Sequence, residues 1–171
     1  ATNSAGTGAA SAASNSVIPA SPQTITFNNP GSQNFGTSPT LSAFSSAGAG
    51  YAVSFTSSTT GVCTITAGGT LTFVTTGTCT INANQAGDTS HLPAPQVSQS
   101  FTVNAVLPGA PTSPVATAGD TQASVAFVAP VNTGGTAITG YTVTVSPAHV
   151  APVAGASSPI VVTGLTNGMV Y

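Results

Sequence analysis

The chain has 171 residues with no Lys, no Arg, two acids and two histidines, so only 1% of it is charged and its formal net charge is -2. Without a cationic side chain it cannot neutralise phosphates, which removes nucleic-acid binding. The same lack removes adhesion to anionic lipid through a polybasic patch and the lysine and arginine chemistries of Schiff bases and phosphoryl transfer.

No apolar run approaches the roughly 18 residues of a membrane span, and no basic stretch precedes an apolar one. The segment is therefore expected to be soluble and not to insert into a membrane. Low charge alone suits disorder, but disordered chains are poor in β-branched and aromatic residues. This chain is rich in Thr, Val and Ile, with seven Phe and three Tyr, and is expected to fold.

Alternation with period two dominates, without a sustained helical period. It predicts strands at 24–27, 40–44, 52–56, 62–66, 70–74, 78–82, 98–103, 123–127, 138–145 and 160–163. Pro30-Gly31, Gly68-Gly69 and Gly134-Gly135 mark turns between them. Short strands at close spacing are the pattern of an all-β sandwich. Composition places one boundary at Pro19–Pro22 and another near Ala105–Pro111, where Pro108, Gly109 and Pro111 make a short, semi-stiff linker. The division expected is 1–21, a unit at 22–105, a linker at 106–110 and a second unit at 111–171.

In Cys63-Thr64-Ile65 and Cys79-Thr80-Ile81 the cysteine and isoleucine share one face and the threonine takes the other. Leu71 and Phe73 present a similar face between them. Both cysteines then point into the core and can bridge. The alternatives are a metal site, for which neither histidine is suitably spaced, a redox pair, for which there is no Cys-x-x-Cys motif, and free thiols. A structural disulfide in so uncharged a chain points to an oxidising, extracellular setting.

The middle unit resembles the immunoglobulin-like repeats found in tandem on bacterial cell-surface proteins. The residues that carry this are QTITF at 23–27, PTLSA at 39–43, VSFTSSTTGVCTI at 53–65, GTLTFVTTGTCTINANQAGD at 69–88 and VSQSFTV at 97–103. The second unit looks like a fibronectin type III domain, through PGAPTSPVATAGDTQASVAFVAPVNTGGTAITGYTVTV at 108–145 and SPIVVTGLTNGMVY at 158–171. That likeness puts Val125 and Phe127 on the second core strand and Ile138, Tyr141 and Val143 on the third. It makes Leu165, Gly168 and Tyr171 the tyrosine corner, whose hydroxyl bonds to backbone a few residues upstream. It also implies that the sixth and seventh strands lie beyond Tyr171, leaving an open sandwich.

Residues 1–21 resemble the end of such a domain, with ATNSAGTG as the loop after a sixth strand and ASAASNSVIP as the seventh strand. The resemblance thus implies tandem immunoglobulin-like and fibronectin type III β-sandwiches. Two expectations follow for the whole. The 171 residues are a window on a longer tandem array, or they are a subunit whose first strand completes the open sandwich of the next copy. The second arrangement is heterologous and generates a filament. A third reading of 1–21 is a disordered leader.

Chemistry-bearing residues are few. Asp88 and His91 lie three apart in GDTSHLP, and no GxSxG motif supplies a nucleophile to go with them. His91 and His149 are expected to be loop residues and Asp120 a hairpin-turn residue. No calcium site is expected from lone aspartates, and no metal, cofactor or catalytic residue is expected at all. There is no RGD tripeptide and no Asn-x-Ser/Thr sequon. Tyr51, in AGAGYAV, is the single loop aromatic nominated as a ligand contact.

The function expected is a non-enzymatic structural spacer or fibre segment of an extracellular bacterial surface protein. Its partners would be neighbouring repeats or other copies, head to tail. The alternative is an adhesin module that takes a glycan or protein on the loops at one end of the sandwich.

Overall fold

The structure, a computed structural model, describes residues 1–10, 12, 18–148 and 150–171. Among the described residues there is no helix; the fold is all-β, with fifteen strands.

A small hairpin opens the chain, β1 (Thr2–Asn3) against β2 (Gly6–Thr7). The Asn3 side chain accepts the Ala5 amide inside its turn, an Asx device that supports a reversal without a packed core. The seventh strand expected at ASAASNSVIP falls largely on residues 11 and 13–17, outside the described ones.

The middle unit contains β3 (Ile25–Phe27), β4 (Gln33–Asn34), β5 (Ala43–Ser45), β6 (Ser54–Ser57), β7 (Cys63–Ile65), β8 (Leu71–Phe73), β9 (Gly77–Asn84) and β10 (Val97–Asn104). One sheet has the order β4-β10-β9-β6, with β4 parallel to β10 and the other pairs antiparallel. Opposite it, β3 pairs with β5 and β7 with β8. A bridge between Thr40 and Thr70 joins these two ribbons, with the Leu41 amide donating to Gly69 O and the Leu71 amide to Pro39 O.

The core lies between the layers, because each strand turns its alternate apolar residues inward. Ile25, Phe27, Leu41, Phe55, Leu71, Phe73, Ile81, Phe101 and Val103 are all buried there. Edge-to-face ring pairs cross the gap, Phe27 with Phe55 at 5.4 Å and Phe73 with Phe101 at 6.4 Å. The disulfide Cys63–Cys79 also crosses it, tying β7 of one layer to β9 of the other with both residues fully buried.

The remaining strands are β11 (Thr112–Gly119), β12 (Gln122–Val128), β13 (Tyr141–Val143), β14 (Val153–Gly155) and β15 (Ile160–Thr163). They form a sheet of order β11-β12-β15 and a separate β13-β14 ribbon. Phe127 on β12 and Tyr141 on β13 meet with ring centroids 4.6 Å apart. Between the two sheets an apolar cleft of about 450 Å³ stays open, lined among others by Val125, Phe127, Ile138, Tyr141 and Val143. Ile160 and Val162 are buried, whereas Val115, Val128 and Val161 remain exposed.

Candidate functional site

The chain enters the middle unit at Ser21, and the loop between β9 and β10 closes over that point. The Ser21 amide donates to Ser90 O, and the Leu92 amide donates to Ser21 O. Beneath the loop lie two buried glutamines. Gln23 Nε2 donates to Gln85 Oε1 and to Leu92 O, and Ser45 Oγ donates to Gln23 Oε1. Gln85 Oε1 also accepts the Gly87 amide. Burying an amide without partners costs several kcal/mol, and here each glutamine oxygen is satisfied by hydrogen bonds within the fold.

On the outer side of the same loop stand Tyr51, Asp88 and His91. Asp88 Oδ1 accepts the Ser90 and His91 amides, each at 2.8 Å. The Ser90 amide is the main reason the carboxyl sits below its usual value, with the His91 amide and the Tyr51 hydroxyl adding to it. Tyr51 is pushed up, first by partial desolvation and then by the Asp88 charge and hydrogen bond. The Tyr51 ring meets the His91 ring at 4.5 Å, edge on, and His91 Nδ1 lies 3.4 Å from Asp88 Oδ1. Tyr51 therefore fastens the loop between β5 and β6 to the loop between β9 and β10.

As chemistry the trio is limited. The carboxylate oxygen facing His91 already holds two backbone amides, and among the described residues Nδ1 has only its 3.4 Å approach to that oxygen. Nothing here orients an imidazole toward a serine as nucleophilic catalysis requires. Among the described residues, no three His, Cys, Asp or Glu side chains group closely enough to hold a metal. Beside Tyr51 runs a cleft of about 330 Å³, bordered also by the exposed ring of Phe44.

The other sequence candidates lie elsewhere. Cys63 and Cys79 form the core disulfide. Tyr171 accepts the Thr166 amide on its hydroxyl at 2.9 Å, while Leu165 donates its amide to Thr121 O. Gly168 occupies the left-handed region at φ +80° between them. Asp120 sits in the β11–β12 turn and accepts Asn167 Nδ2 at 2.8 Å. His149 lies outside the described residues. The sequence placed Asp88 and His91 side by side and flagged Tyr51 separately. It missed that Tyr51 joins the pair, because a long stretch of chain separates Tyr51 from Asp88 and no local pattern links them.

No protein-family model matches the chain, and no curated protein matches it.

Proposed function

We propose that the chain is a structural spacer, part of a tandem series of β-sandwiches in an extracellular bacterial surface protein or fibre. The observation that carries this reading is where the main chain enters and leaves the middle unit. It enters at Ser21, beside the β9–β10 loop, and leaves after Asn104, beside the β8–β9 turn. Because β9 and β10 pair antiparallel along their length, those points are at opposite ends of the sheet. Each such unit lengthens the molecule by roughly 26 Å, at about 3.3 Å per residue.

Further support comes from the sheet β4-β10-β9-β6 facing the ribbons β3-β5 and β7-β8, which suits an immunoglobulin-like sandwich with its disulfide across the layers. The disulfide fits an oxidising compartment. The open apolar cleft of the second unit suits a sandwich covered by further strands, supplied by continuing chain or by another copy through strand addition. A second reading, an adhesin that holds a glycan at the sandwich end, rests on the cleft between Phe44 and Tyr51.

The test is the mass of the native material under reducing, denaturing conditions. A secreted or cell-surface species far above 16.3 kDa is expected for an array. A species near that mass that forms heat-labile, detergent-resistant multimers supports strand addition. An intracellular monomer overturns the reading. Glycan-array binding that disappears in the Phe44→Ala, Tyr51→Ala double variant shifts the assignment to the adhesin.

A further inference from the structure

Gly134-Gly135 reads in the sequence as an ordinary turn. In the structure both glycines are buried and press into the end of the middle unit from which the chain leaves. Two segments of that unit and the start of the linker form the socket: Phe35 just after β4, Thr75 and Thr76 between β8 and β9, and Val106 just beyond β10. The Gly135 carbonyl accepts Thr75 Oγ1 at 3.0 Å and the Thr76 amide at 3.3 Å. The Gly134 carbonyl accepts the Val106 amide at 3.0 Å. Two more bonds brace the turn, from the Gly109 amide to Asn132 O at 2.8 Å and from the Gly134 amide to Asn132 Oδ1 at 2.9 Å.

The fit leaves no room for a side chain. A Cβ on Gly134 would stand 2.0 Å from Val106 O, and one on Gly135 would stand 2.6 Å from Phe35 Cγ and 2.8 Å from Thr76 Cγ2. Both residues also have positive φ, +75° and +89°, where a side chain is strained in any case. Phe35 in turn packs on the core cluster, so the plug bears on a ring anchored in the sandwich. Linked domains swing by default unless something holds them. Swinging here would strip two buried carbonyls of their donors, which buried backbone groups do not tolerate.

We propose that the turn Asn132–Gly135 is a latch that fixes the angle between the two units, so that residues 22–171 move as one rigid body. The inference does not depend on the spacer reading and stands for any function of the chain.

The test is ¹⁵N relaxation on the full chain. One shared rotational correlation time is expected for the two units, and two distinct, shorter times are expected for Gly135→Val with the chemical shifts of the Cys63–Cys79 core unchanged. Distinct times in the wild type, or a single time persisting in the variant, overturn the latch. Should the variant lose its second unit, amide exchange in the wild type decides. Thr76 and Val106 donate across the joint, so their amides are expected to exchange roughly tenfold or more below the unprotected rate. Exchange at the unprotected rate refutes the proposal. Thr75→Val, which removes one bond without backbone strain, is expected to speed exchange at Thr76, and no change there counts equally against it.

Discussion

Asp88 is one of two carboxylate side chains in the chain, which makes an acid titration unusually easy to interpret. Its folded-state pKa is depressed, first by the Ser90 amide. A depressed carboxyl stabilises the fold above its unfolded value of about 3.9 and loses that contribution as the pH falls through the lower folded value. The melting temperature is therefore expected to stay level from neutral pH to about pH 5 and to decline below about pH 4. Asp88→Asn is expected to start lower and to flatten that decline, since a neutral amide accepts the Ser90 and His91 amides more weakly. A wild-type and a variant profile that run parallel through the acid range would show that the carboxylate does not hold this loop.

Among the elements, β7 is a three-residue strand in a two-stranded ribbon, too short to hold its place by pairing with β8 alone. The Cys63–Cys79 bond ties it to the long central strand β9. With a sequence separation of 16, the chain-entropy model gives about 3 kcal/mol of stabilisation. Reduction is thus expected to lower the urea unfolding free energy by about that amount. Two alkyl groups are expected to enter only after reductant is added, and labelling of both cysteines without it would mean that the bond does not form.

The alternation of Cys63 with Ile65, Leu71 with Phe73 and Cys79 with Ile81 was readable in the sequence because each strand buries one face. By contrast, β11 was not readable. All eight of its residues are exposed, so no hydrophobic alternation marks it, and it carries Pro114 beside a register shift with Ser113 at φ 52°. Proline is tolerated on such an edge strand. The two-residue β4 is too short to show alternation, and in β14 one of the two half-buried positions is Gly155, which carries no side chain to mark a face. Gln23 and Gln85 look like surface residues in the sequence; they are buried because Ser45 and Leu92, distant from Gln23 in the chain, complete the hydrogen bonding of the pair.

At the scale of the whole molecule, electrostatics contribute very little. The described residues contain one ionisable pair within reach, His91 with Asp88, and it is charged on both sides only when the histidine is protonated. Cohesion therefore comes from apolar burial, backbone pairing and the disulfide, with about fifty Ser and Thr hydroxyls spread over the chain. Screening has almost nothing to act on, whereas excluded salts strengthen burial. Raising sodium chloride from about 20 to 500 mM at pH 7 is expected to move the melting temperature by roughly 1 °C or less. Sodium sulfate at equal ionic strength is expected to raise it by several degrees. The same lack of charge removes repulsion between copies, so any self-association should respond to sulfate and hardly to chloride. If chloride shifts melting or association as strongly as sulfate does, charge-dependent contacts hold the molecule, and apolar cohesion is not its main support.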